Sequence, residues 1–133
     1  FLVINGDTFI EVDLDVLYSF HLNRDSKWTL AIFKTDEINR YMLLNISQKG
    51  EILSLNSHEM MLNGFANGGV YLIEPSVLDF FGTKIEENVS LENQLLPDFI
   101  KNGEKLFGKE CEGKFIDIGL PEDYNRAGEI LPK

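Results

Sequence analysis

The run Phe1-Leu2-Val3-Ile4, followed at once by Asn5-Gly6-Asp7-Thr8, decides the fold. Four successive apolar residues predict a strand buried on both faces, the pattern of parallel sheets. The run stops at Asn5-Gly6 and delivers a carboxylate, Asp7, just beyond its end. Ligands of open α/β sheets bind outside the carboxyl ends of the strands. A hard oxygen ligand in that position suits Mg²⁺ held against a phosphate, and Gly6 lets the backbone approach such a ligand closely. Taken alone, Asn-Gly-Asp is also an ordinary turn, so the reading depends on what else the chain brings to that edge. The chain opens without Met and inside what reads as a central strand. A parallel strand needs neighbours, and residues 1–133 are therefore expected to be the later portion of a single longer domain.

Phe115-Ile116-Asp117-Ile118-Gly119 repeats the opening pattern, an apolar strand with a carboxylate at its end. If Asp7 and Asp117 converge on one sheet edge, they make a cation site for phosphoryl or nucleotidyl transfer. The plainer alternative for Asp117 is a turn or capping residue ahead of Pro121-Glu122-Asp123. Between the two aspartates, Gly64 to Ile73 reads as a strand interrupted by Gly68-Gly69. Paired glycines within a strand mark a bulge or a close approach to the backbone.

The other segments alternate. Thr8 to Val12 is a connector or short strand, and Asp13 is an N-cap for a helix over Leu14 to Leu22. Trp28 to Phe33 is a strand, and Tyr41 to Ile46 with Glu51 to Leu55 form a hairpin around Ser47-Gln48-Lys49-Gly50. Ser76 caps a short helix through Phe81; a helix from Ser90 runs to Ile100, with Pro97 starting a turn or kinking it. Leu106 to Lys109 and Lys114 to Ile118 are strands, and a last helix follows Pro121 to Leu131. Strands mixed with helices give an α/β class with a central, mostly parallel sheet.

Bulk properties narrow the function. A chain of 133 residues with 44% hydrophobic and 26% charged residues suits one globular domain. A net charge of −10 argues against nucleic acid as a partner, and handling anionic nucleotides then calls for an intervening cation. The one cysteine, Cys111, excludes an intrachain disulfide and points to a reducing, cytoplasmic setting. No apolar run approaches the roughly 20 residues of a membrane span, so no membrane partner is expected.

In order and spacing, Phe-Leu-Val-Ile-Asn-Gly-Asp-Thr-Phe, Asn-Gly-Gly-Val-Tyr-Leu-Ile and Phe-Ile-Asp-Ile-Gly-Leu-Pro-Glu-Asp-Tyr resemble the sugar-1-phosphate nucleotidyltransferases. The likeness is greatest to the bacterial heptose- or mannose-1-phosphate guanylyltransferases and covers the later part of their catalytic domain. It implies a Rossmann-like mixed sheet flanked by helices, of the nucleotide-diphospho-sugar transferase type, incomplete at its N-terminal side. It also implies joining of a nucleoside triphosphate, GTP favoured, to a sugar 1-phosphate. On the resemblance, Asp7 and Asp117 are the catalytic Mg²⁺ ligands. Gly6, Asn67, Gly68, Gly69 and Val70 line the substrate, largely through backbone groups, and Glu92 lies in a helix near the sugar pocket. A homo-oligomer is left open.

Three departures bear on activity. The family's glycine-rich triphosphate loop, a backbone nest, is absent, so the segment alone is expected to be inactive. Met42 stands where the family has a glycine facing the sugar, and Ser57-His58 fall where it has a Glu-Lys pair. Ser57 cannot replace a carboxylate, and neutral His58 is a poor substitute for a lysine. A non-catalytic regulatory or assembly paralogue of the same fold is the alternative, and a glycosyltransferase using a finished nucleotide sugar is a third. His21 is expected at the surface or an edge, Trp28 in the core, and Cys111 to be inert.

Overall fold

The computed structural model describes residues 1–6, 8–35, 43–55, 64–81 and 94–117, with backbone alone for Phe80, Phe81 and Asp117. Among the described residues, eight strands and three helices follow in the order β1 (Leu2–Ile4), β2 (Thr8–Ile10), α1 (Leu14–Asn23), β3 (Trp28–Thr35), β4 (Leu43–Ile46), β5 (Ile52–Leu55), β6 (Gly64–Ile73), α2 (Ser76–Phe81), α3 (Leu96–Lys101), β7 (Phe107–Glu110) and β8 (Phe115–Asp117).

The main sheet runs β5-β4-β6-β3-β7, and β1 pairs with the second half of β6. β3 lies against β6 on one side and β7 on the other. Its six consecutive buried residues, Trp28 to Phe33, follow from having a layer on each face. Trp28, Leu30 and Ile32 enter one core with Phe99 and Leu96 of α3 and Val77 of α2. Ala31 and Phe33 enter another with Leu17 of α1 and Ile10 of β2. Trp28 meets Phe99 edge-on at 5.3 Å between ring centroids, and its core assignment holds.

The sheet is mixed, yet among the described residues only β3–β7 is parallel, and the remaining pairings are antiparallel. β1 departs from its expected setting: it runs antiparallel to β6, and Leu2 and Ile4 are exposed, Ile4 to 61%. A four-residue apolar run cannot distinguish a strand covered on both faces from one left bare at an edge. The sheet also curls until its outer strands meet: the Ile52 amide donates to Leu106 O at 2.7 Å and the Gly108 amide to Gly50 O at 2.8 Å.

Local signals fared well. Asp13 caps α1, one carboxylate oxygen accepting from the amides of Asp15 and Val16 at 3.0 and 3.2 Å. Pro97 sits in the first turn of α3, and residues 90–93, where the helix from Ser90 is expected to begin, lie outside the described residues. His21 overturns its expectation. It is only 5% exposed, with Nδ1 2.7 Å from Thr29 Oγ1 and Nε2 3.3 Å from Glu74 Oε1. No described helix is long and apolar enough to cross a membrane. The expected helix after Pro121 lies outside the described residues, as do Met42, Ser57 and His58.

Candidate functional site

β2 and β8 form a two-stranded antiparallel ribbon beside the main sheet, with Thr8 opposite Asp117, Phe9 opposite Ile116 and Ile10 opposite Phe115. Apolar packing fixes this register. Ile116 is buried, and Phe115 stacks on Phe33 of β3 at 3.9 Å between centroids. A slip of one residue would turn Phe115 away from Phe33. The ribbon thus sets the backbone of Asp117 directly across from Thr8, the residue that follows Asp7. Asp7 itself and Glu92 lie outside the described residues.

Above the ribbon, β6 bulges. Pairing with β3 jumps from Leu30 opposite Tyr71 to Ile32 opposite Asn67, so Gly68, Gly69 and Val70 share the place facing Ala31. Gly69 carries a φ of +80°, and its amide is held by Asn67 Oδ1 at 2.9 Å. Asn67 Nδ2 in turn donates to Tyr71 Oη at 2.7 Å, which fixes the side chain that shapes the bulge.

The reason for two glycines is visible. A Cβ on Gly68 would lie 2.6 Å from Ile10 Cδ1 and 2.8 Å from Ala31 O. One on Gly69 would strike Thr8 Oγ1 and lie 3.0 Å from Asn5 Nδ2. What presses on this backbone is the β1–β2 corner, which the Asn5 amide ties to Gly69 O at 2.8 Å. With its carbonyl taken by Asn5 and its N–H by Asn67 Oδ1, the Gly69 backbone is engaged within the protein. Gly6 differs: it is exposed, and a Cβ there would meet nothing within 4 Å. Val70 is buried and faces Ile4 across the ladder.

Thr8 was missed by sequence reasoning. Its Oγ1 is buried, lies over Gly69, and has no hydrogen-bond partner among the described residues. Such an orphan costs free energy unless something satisfies it. A threonine directly after a strand-end carboxylate was the available signal. Among the described residues no three His, Cys, Asp or Glu side chains group to hold a metal. Cys111 is half-buried, and that burial pushes its thiol above the ordinary range, which agrees with an inert cysteine.

A mixed sheet with helices and a strand-end ribbon that joins the two aspartate segments defines an α/β protein of the nucleotide-diphospho-sugar transferase fold. In sequence, the chain is similar to sugar-1-phosphate guanylyltransferases over about half the length of the bacterial ones. It is 35% identical over 124 residues to the D-glycero-alpha-D-manno-heptose 1-phosphate guanylyltransferase of Campylobacter jejuni, covering 92% of this chain and 52% of that protein. It is 27% identical over 125 residues to the mannose-1-phosphate guanylyltransferase catalytic subunit beta of Drosophila melanogaster, covering 93% of this chain and 33% of that one. HddC from Yersinia pseudotuberculosis, solved alone and complexed with GMP-PN, superposes with a TM-score of 0.78 at 29% identity, over 97% of this chain and 54% of HddC. The chain spans about half the length of the bacterial relatives it matches. No protein-family profile matches it.

Proposed function

We propose that the protein transfers a nucleotidyl group from a nucleoside triphosphate, GTP in the first instance, to a manno-configured sugar 1-phosphate. The named relatives act on heptose and mannose 1-phosphates of that configuration, and HddC takes GMP-PN. Residues 1–133 are read as the later portion of one catalytic domain, working in the cytoplasm. The exposed apolar side chains of β1 support that assignment, because large apolar groups left open on a strand call for a neighbour.

The observation that carries the proposal is the register opposing Thr8 and Asp117. The backbone of Asp117 facing the residue after Asp7 supports a common site for the two aspartates, remote as they are in sequence. Asp7 and Asp117 would hold Mg²⁺, and the donors on offer suit it: carboxylates and an orphaned hydroxyl are hard oxygen ligands. When bound, the ion supplies a positive charge against the negative charge building on the phosphates. The chain supplies positioning. Thr8 Oγ1 has a hydrogen to give to a phosphate oxygen, and the Asn67–Val70 bulge, Gly6 and Glu92 shape the substrate side. A sugar-phosphate oxygen then attacks the α-phosphorus as the bond to pyrophosphate breaks, with no protein nucleophile.

In the complete protein, Asp7→Ala and Asp117→Ala should each cut pyrophosphate release from GTP and mannose or manno-heptose 1-phosphate at least about a hundredfold. Both should leave the unfolding midpoint nearly unchanged. Undiminished release by both variants would end the assignment. Binding of GTP and sugar phosphate by the wild type without any pyrophosphate would favour the non-catalytic paralogue.

A further inference from the structure

A second cleft, independent of the transferase proposal, opens where the end of α1 meets the turn after β4 and the strand β7. Its volume is about 490 Å³, within the range of small-molecule sites. Ile32, Ile46 and Phe65 make an apolar floor, and Arg24, Lys49 and Lys109 stand at its rim. This is an unusual concentration for a chain with 12 basic and 22 acidic residues. The Arg24 guanidinium lies 4.8 Å from the centroid of the Phe20 ring and the Lys109 ammonium 6.0 Å from the same centroid. Arg24 is pinned there, since its Nε donates to Lys49 O at 3.0 Å.

Among the described residues the one carboxylate lining the cleft is Glu110, and Lys34 already pairs with it at 3.7 Å. Arg24, Lys49 and Lys109 have no ion-pair partner among the described residues. Like charges gathered around one ring repel, and cation–π attraction offsets only part of that. Three cations over an apolar floor, one of them pinned, form a receptor for an anion carrying several charges. The planar fork of arginine matches phosphate oxygens. We propose that this cleft binds an oligophosphate anion.

The test is calorimetric titration of the protein with inorganic tripolyphosphate at low salt, with EDTA present to remove binding that needs a divalent ion. One binding event is expected, weakening as salt is added. The double variant Lys49→Gln, Lys109→Gln should lose about tenfold or more in affinity, the worth of a charge-assisted contact. The control Lys101→Gln, Lys105→Gln makes the same change in net charge elsewhere and should stay within about twofold. Lys49→Glu, at an exposed turn, should weaken binding further than Lys49→Gln alone. No binding by the wild type at millimolar probe, or equal losses in both doubles, would overturn the proposal and leave only diffuse surface charge.

Discussion

Gly6 and Gly69 part company once a methyl group is placed on each. At Gly69 the backbone is left-handed, with φ +80°, and the methyl would meet Thr8 and Asn5. Gly69→Ala should therefore cost about 1–3 kcal/mol of stability, read by urea unfolding. Gly6→Ala meets nothing, so its unfolding free energy should stay within about 0.5 kcal/mol. If Gly6 exists to admit a ligand, that same variant loses turnover while keeping its fold, and unchanged kinetics would remove Gly6 from the site. His21 teaches a related lesson. Thr29 Oγ1 donates to Ser26 Oγ at 2.8 Å and so accepts from His21 Nδ1. Thr29→Val would strand that buried N–H and should cost about 1–3 kcal/mol in the same unfolding measurement. Neither Thr29 nor Glu74 is near His21 in sequence, which is why its burial could not be read from the helix pattern alone.

At the scale of elements, what depends on a few neighbouring residues was legible. Asp13 before an apolar helical repeat and Pro97 in a first turn act through their own backbone. β3 announced itself by six buried residues in a row. Strand direction and register were not legible, because they depend on partners chosen across the chain. β1 thus reads as a central parallel strand although it sits bare beside β6. The bulge was legible as a pair of glycines, but the corner that fills it was not. Asp117 was legible as a strand-end carboxylate, while its place opposite Thr8 is a fact of the ribbon. With β1 joined on one side and β3 on both among the described residues, hydrogen exchange in the 133-residue chain should be at least about tenfold faster in β1 than in β3. In a longer protein carrying the rest of the domain, β1 should gain protection. Equal exchange of β1 in both would count against the single-domain proposal.

For the molecule as a whole, the contact between β5 and β7 matters more than its two hydrogen bonds suggest. Gly50 sits at that contact with φ +89°, and a Cβ there would lie 2.9 Å from Phe20 Cζ and 3.2 Å from Gly108 O. Gly50→Ala should cost about 1–3 kcal/mol and broaden the thermal transition. A sharp, unshifted transition would mean that the contact is incidental. The join makes the sheet a hoop where it would otherwise be a ribbon. A ribbon can shed strands one after another from its sides, whereas a hoop must be cut before anything unrolls. The hairpin, the long central strands and the helix that lids them are accordingly bound to give way together.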